Sequence, residues 1–339
     1  MQTFATSRKD LFPDAAARRI FGLIKKELAL VEQEFERQAS SNIQVINYLG
    51  DYLRVSGGKR VRPALLLLAT YAAGGRAEAE NVIGMATVME MLHTATLVHD
   101  DIIDNADIRR NRPSVNARFG NHAAVLMGDW LYMSAFETSL RERSLAVLDV
   151  LTNLTRKMTE GELIQLTLIG NAEITEDEYF DVIRRKTAYL FSGCCEIGGL
   201  LAGAGPAEVA AMRDYGLNLG IAFQIADDLL DYTADRTALG KATGADLLEG
   251  KITLPLILLL KKNPGIRSLL EKAMLNGELT EDGAEQLKKE LKDQGIIGQT
   301  RDIANNYASA ARKNLEVLPE TEYRVALDGI PEYVIDREK

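Results

Sequence analysis

VIGMATVMEMLHTATLVHDDIID, residues 82–104, is apolar on nearly every face until its last turn, where three aspartates arrive within five positions. A run of that length without a polar face is expected of a helix buried on all sides. Its neighbour RPALLLLATYAA (62–73) has the same character. Helical periodicity continues through the chain. Residues 15–40 are expected to form one amphipathic helix, with Ile20, Phe21, Ile24, Leu28, Val31 and Phe35 on its inner face. Further helices are expected over 121–136, 145–166, 207–232 and 254–260. TEDE (175–178) reads as a capping box that starts a helix running through Leu190 toward Gly199. No convincing series of alternating strands is present. With no composition break or low-complexity linker, residues 1–339 are read as one all-α domain of roughly ten or more helices.

The aspartates pose a question, because carboxylates at i and i+4 repel when nothing binds between them. Asp100 and Asp104 lie one turn apart and can hold a divalent ion, with Asp101 as a flanking acceptor. Hard oxygen ligands in this number suit Mg²⁺, which keeps several waters and shares its sites with substrate phosphates. A solvated acidic helix end would look the same in isolation. The pattern recurs, however, in QIADDLLDY (224–232), where Asp227, Asp228 and Asp231 close a second apolar helix. Uncompensated buried carboxylates cost several kcal/mol each, so cations are the expected compensation.

Basic residues accompany both acidic sets. GGKRVRP (57–63) supplies Lys59, Arg60 and Arg62 on a glycine turn expected to enter a helix at Pro63. Such a turn presents amides and cations to a phosphate. Arg109 and Arg110 follow the first acids. Lys186 and Thr187 lie in VIRRKTAYLF, and Lys241 and Lys251 flank GADLLEG after the second set. Each alone would pass for a salt-bridged surface residue; together they describe a diphosphate held by metal and by direct cationic contacts.

These motifs carry a resemblance. GGKRVRP, LVHDDIIDNADIRR, KTAYLF, GIAFQIADDLLDY and LGKATGADLLEGKITLP, over about Leu53 to Pro255, resemble the trans-polyprenyl diphosphate synthases (trans-prenyltransferases) in order and spacing. The resemblance implies a single large helical bundle of the isoprenoid synthase type with a central active-site cavity. It implies Mg²⁺ bound by Asp100 and Asp104, with Asp227, Asp228 and Asp231 holding a further ion. Arg109, Lys186, Thr187, Gln224, Lys241 and Lys251 would contact the allylic diphosphate, and Lys59, Arg62, His93 and Arg110 isopentenyl diphosphate. Two to three Mg²⁺ ions and a homodimer are implied as well, the latter through apolar faces on helices around 115–165.

Chain length is read from the helix before Asp100. Thr96 lies one turn below the acid and Met89 about three turns below, with Leu92 between. Ala95 and Thr96 are small, so no aromatic floor stands where short-chain members place one. A long product of about eight units is expected at roughly 5.4 Å per turn, as in octaprenyl diphosphate synthases, with a floor deeper down at Phe136. A terpene cyclase or head-to-head synthase would have no need of the isopentenyl site. A non-catalytic partner subunit would be expected to lose acids or cations, and a plain helical binding protein leaves the paired acidic clusters unexplained.

Bulk properties narrow the classes further. A net charge of −9 argues against nucleic acid as a partner. Arg8, Lys9, Asp10 and Asp14 are unlike a secretory leader, and no uninterrupted apolar run reaches membrane-spanning length. Cys194 and Cys195 are expected to be buried thiols. The chain is therefore read as cytoplasmic, with at most transient membrane contact for release of a hydrophobic product.

Overall fold

The computed structural model describes residues 15–55, 58–110, 112–233 and 244–335. It is all-α apart from one two-residue ladder, and the chain groups into two compact units. The first comprises Met1–Val150, Cys194–Ala210 and Val317–Ile330; the second comprises Leu151–Gly193, Ala211–Glu316 and Pro331–Lys339.

The first unit begins with α1 (Ala15–Gly22), α2 (Lys25–Gln38) and α3 (Gln44–Val55). The single helix expected over 15–40 is thus broken at residues 23–24, although all six expected apolar residues are buried. Ile24 caps α2 with φ −118° and is itself fully buried, so the core keeps the apolar stripe while the backbone turns. Next come α4 (Val61–Ala72) and α5 (Glu80–Ile103). Helix α4 starts two residues before Pro63, which leaves Pro63 in the first turn, where a missing N–H costs no intrahelical bond. Leu65 to Leu68 and Met85, Val88, Met89, Met91 and Leu92 are buried, which stabilises the pair by about 1.5–3 kcal/mol per large side chain. By length and composition α5 is able to cross a membrane, but 67% of its apolar window is buried within the protein, as in a core helix.

After α5 the chain reverses in a small antiparallel ladder, β1 (Ile108–Arg109) with β2 (Arg112–Pro113), which the sequence did not announce. Helices α6 (Val115–Phe119) and α7 (Asn121–Leu140) follow, and α7 packs along most of α5.

Helix α8 (Leu145–Leu168) leads to α9 (Glu176–Ile183), which opens with the expected capping box: Thr175 accepts from the Glu178 amide while Glu178 accepts from the Thr175 amide. The helix then loosens into one π-helical turn, Arg184–Ala188, before resuming as α10 (Tyr189–Ala202). Helix α11 (Pro206–Thr233) carries the second acidic set at its C-terminal end. Helices α12 (Ala245–Leu248), α13 (Leu254–Lys262), α14 (Arg267–Asn276), α15 (Glu281–Asp293), α16 (Ile296–Asn314) and α17 (Glu322–Ile335) complete the chain. In the second unit a core of Tyr179, Ile221, Ile225, Tyr232, Leu254 to Leu259 and Leu287 backs the acidic end of α11.

Candidate active site

In the first unit, α5 delivers Asp100 in its last turn and ends with Asp104 as its C-cap. Both are half-buried, whereas Asp101 turns inward and is buried. The ladder folds Arg109 back onto Asp101, with Nε donating to Oδ1 at 2.7 Å and Nη2 at 2.5 Å. Ser114 and Asn116 pin the intervening loop by donating to the carbonyls of Ala106 and Asp101. Asp101, expected as a flanking metal acceptor, and Arg109, expected on the allylic diphosphate, are therefore bonded to each other. Tyr132 of α7 stacks on His99 with ring centroids 6.1 Å apart, and burial together with the Asp100 charge pushes its hydroxyl up to about 12.

Around His93 the first unit gathers Arg62, Arg110, Arg109 and Arg60. Withdrawal from solvent, then these four positive charges in that order, hold the imidazole well below its usual range. His93 is consequently a neutral hydrogen-bonding group at physiological pH. Arg110 is pulled down by burial and by Arg60 and Arg109, against the opposing pull of Glu90 and Asp101, so four arginines and two carboxylates leave this region net positive and suited to an anion. Lys59 stands exposed on the turn before α4. Along α5, Met89, Leu92 and Ala95 are fully buried and Thr96 donates to the His93 carbonyl at 2.8 Å; Phe136 of α7 is half-buried.

The second unit gathers the other set. The π turn presents Lys186 and Thr187. Lys186 Nζ lies 2.6 Å from Glu162 and 2.5 Å from Gln165, both on α8. The Thr187 hydroxyl donates to Gln224 Oε1 at 2.8 Å, Gln224 Nε2 donates to Asp228 Oδ1 at 2.8 Å, and the Tyr179 hydroxyl donates to Asp228 Oδ2 at 2.6 Å. Asp227 points outward and is exposed, while Asp228 is buried. Asp231 accepts from the amides of Ala245 and Asp246 and so fixes the start of α12. Lys251 pairs with Glu249 at 2.7 Å. Lys186, Thr187, Gln224, Asp228, Asp246 and Lys251 line one cleft of about 150 Å³, with Tyr179, Ile183 and Ile252 in its walls. Lys241 lies outside the described residues.

Carboxylates crowd one another at this cleft. Burial, and then Asp227 and Asp231, raise Asp228 to about 7 despite its two donors. Burial and the neighbouring Asp228 and Asp231 push Asp246 well above the carboxylate range. Among the described residues no three His, Cys, Asp or Glu side chains converge into a ready-made metal cage. Asp100 and Asp104, one turn apart and half-buried, are a donor pair that fits Mg²⁺, which is typically held by one or two carboxylates plus substrate phosphates.

Tyr179, Glu162, Gln165 and Asp246 escaped the sequence reading. Asp246 stood within a motif already recognised, and its burial beside Asp231 was the missing fact. Tyr179 precedes Lys186 by seven residues, about two turns, a spacing that flags a shared face only once the helix is known to continue.

Residues 43–291 match the family model for polyprenyl synthetase. Octaprenyl diphosphate synthase of Escherichia coli K12 is 39% identical over 325 residues, covering 95% of this chain and 99% of its own. The chain belongs to the polyprenyl synthetase family. A relative in Rhodobacter capsulatus, an all-trans-nonaprenyl-diphosphate synthase specific for geranyl diphosphate, is 36% identical over 94% of this chain and 97% of its own. The crystal structure of a polyprenyl synthase from Caulobacter crescentus CB15, complexed with calcium and isoprenyl diphosphate, superposes with a TM-score of 0.89. That protein is 34% identical, with 95% of this chain and 98% of that one covered. The family assignment agrees with the all-α architecture and with the order of motifs read from the sequence.

Proposed function

We propose that this chain adds isopentenyl diphosphate units head-to-tail to an allylic primer such as farnesyl diphosphate. The product is a long all-trans polyprenyl diphosphate of about eight units, near C40 by the helix-turn ruler. Such a product serves quinone side chains, made in the cytoplasm by a homodimer. The observation that carries the reading is the pairing of two acidic helix ends with cations suited to diphosphate. Asp100 and Asp104, and Asp227 with Asp228 and Asp231, would hold Mg²⁺; the metal would supply positive charge to the diphosphate leaving group. Lys186, Thr187, Gln224, Lys251, Arg109 and Lys241 are assigned to the allylic diphosphate. Lys59, Arg62, Arg110 and neutral His93 are assigned to isopentenyl diphosphate.

In the proposed reaction the allylic C1–O bond breaks as negative charge gathers on the diphosphate, and the assigned lysines and Thr187 would stabilise that charge. The double bond of isopentenyl diphosphate then attacks C1, and the proton lost from the adduct passes to the released diphosphate. No side-chain nucleophile is required.

The test is product analysis with purified protein, Mg²⁺, farnesyl diphosphate and labelled isopentenyl diphosphate, read by mass spectrometry after dephosphorylation. A ladder ending near eight units supports the whole reading, and one ending at about three or four keeps the chemistry but overturns the length argument. No incorporation favours a terpene cyclase or a non-catalytic partner subunit. Ala95→Phe sharpens the length argument, since Ala95 is fully buried. If it borders an open channel, the phenyl ring enters the channel and the ladder shortens with little loss of stability. If it borders packed core, overpacking costs about 1–3 kcal/mol and the length stays unchanged.

A further inference from the structure

Arg60 is the cation of GGKRVRP to which the proposed reading assigns no substrate. Its backbone is left-handed, φ 50° and ψ 36°, at the N-cap of α4. For a residue with a Cβ that conformation costs roughly 1–2 kcal/mol and persists where surrounding contacts impose it. Those contacts are present. The guanidinium is 10% exposed and forks between two carboxylates from two different helices. Nε and Nη2 engage Glu32 of α2, the latter at 3.1 Å, and Nη1 donates to Glu90 of α5 at 2.7 Å. The group also lies over the Phe35 ring at 5.9 Å.

Two features define the position of Arg60. Its positive charge is matched by two carboxylates, one of them buried. It is also joined to the loop on one side and to the His93 helix on the other. Glu90 precedes His93 by one turn on α5, while Lys59 and Arg62 flank Arg60 in sequence. The loop is tight here as well. A Cβ on Gly58 would stand 2.8 Å from Nη1 of Arg110 and 3.1 Å from Nη1 of Arg60, so the two guanidiniums bracket that glycine. Arg110 too has a positive φ, 52°.

We propose that Arg60, clamped between Glu32 and Glu90, is a positioning residue: it locks the left-handed turn that aims Lys59 and Arg62 and fixes that turn to the helix carrying His93. The inference rests on the assignment of Lys59, Arg62 and His93 to isopentenyl diphosphate. Arginine suits the task because its planar fork satisfies two carboxylates at once, which a lysine ammonium on a flexible stem does not reproduce.

The test is steady-state kinetics of Glu32→Ala, Glu32→Gln and Arg60→Lys, varying each substrate in turn, with Lys59→Ala as the reporter of the loop itself. Glu32 is the partner of choice because it is partly exposed and its removal leaves Glu90 paired, whereas truncating Arg60 would strand a buried carboxylate. The expected result is a KM for isopentenyl diphosphate raised about 5- to 20-fold in Glu32→Ala and Arg60→Lys. The KM for farnesyl diphosphate and the melting temperature should stay near wild type, and Glu32→Gln should recover part of the loss by retaining an acceptor. Equal KM shifts for both substrates, or no shift in folded protein while Lys59→Ala raises the isopentenyl KM, overturn the positioning role. If Lys59→Ala itself leaves that KM unchanged, the assignment of the loop falls and the anchor falls with it.

Discussion

Asp228 is a carboxylate set against its surroundings. Tyr179 and Gln224 both donate to it, which favours the ionised form, yet burial and the charges of Asp227 and Asp231 raise it to about 7. An unfolded aspartate titrates at 3.8. Between those values the native protein keeps a proton that the unfolded chain has released, so this group's contribution to stability falls as pH rises from about 4 to 7 and is level above. At ~1.36 kcal/mol per pH unit the penalty is roughly 4 kcal/mol at most. Asp228→Asn keeps the shape and removes the charge, since the carboxamide oxygen still accepts from Tyr179 and the Gln224 amide can reverse if the Thr187 hydroxyl turns from donor to acceptor. In metal-free protein the variant's melting temperature should exceed wild type by a margin that widens between pH 5 and pH 7.5. Adding Mg²⁺ at pH 7.5 should stabilise wild type more than the variant. Parallel melting curves across that range, with and without Mg²⁺, would remove Asp228 from the metal-binding set.

One π turn decides the element scale. Residues 184–188 widen the helix where Lys186 and Thr187 leave it, and the turn is hemmed in by two glycines. A Cβ on Gly161 of α8 would stand 2.7 Å from Arg185 Cβ, and one on Gly220 of α11 would stand 2.6 Å from Ala188 Cα. An alanine at an open helical position stabilises by about 0.5–1 kcal/mol relative to glycine. Here the clash reverses the sign: Gly161→Ala and Gly220→Ala should each cost about 1–3 kcal/mol and lower turnover as Lys186 and Thr187 shift. Gly298 on α16 has nothing within 4 Å, and Gly298→Ala should leave turnover intact and raise the melting temperature. Equal effects at all three glycines in thermal melts and turnover assays would show that the close approach has no consequence for the turn. This turn also marks the limit of what the sequence disclosed. Apolar runs made α4, α5, α7 and α11 legible, because a helix without a polar face has only a core to occupy. The capping box was legible since its two residues supply both hydrogen bonds locally. The left-handed Arg60 that starts α4 depends on Glu32 and Glu90, 28 and 30 residues away, while the break between α1 and α2 and the pairing of Arg109 with Asp101 across the β1–β2 turn depend on how the backbone folds back. No local pattern encodes them. Among the site residues, types and spacing were readable; which acids turn inward and which cations are already bonded were not.

For the whole molecule, the proposed homodimer would have to bring together two chains that each carry a charge of −9. Long-range repulsion opposes association, more so at low salt, so a homodimer needs an apolar contact that outweighs it. Helix α7 offers one. Leu126, Met133 and Leu140 are 68%, 63% and 49% exposed, and they recur every seven residues, two turns, so they form a single stripe. The same helix packs its opposite side along α5, with Ala124, Met127, Leu131 and Ala135 buried, so it has no spare core in which to hide the stripe. A stable dimer buries on the order of 800 Å² per partner, more than one such stripe supplies; exposed Leu145 and Leu163 lie on the next helix in sequence. Wild-type protein should therefore scatter light as a dimer whose dissociation constant falls as ionic strength rises. The double variant Leu126→Glu/Met133→Glu should scatter as a monomer, with a melting temperature near wild type if the stripe touches only a second copy. A wild-type monomer, or a dimer that survives both glutamates, would move the contact off α7. If dissociation also abolishes product formation without unfolding the chain, then association supplies something the isolated subunit lacks, and titrating wild-type protein through its dissociation constant should show activity falling in step with dimer mass.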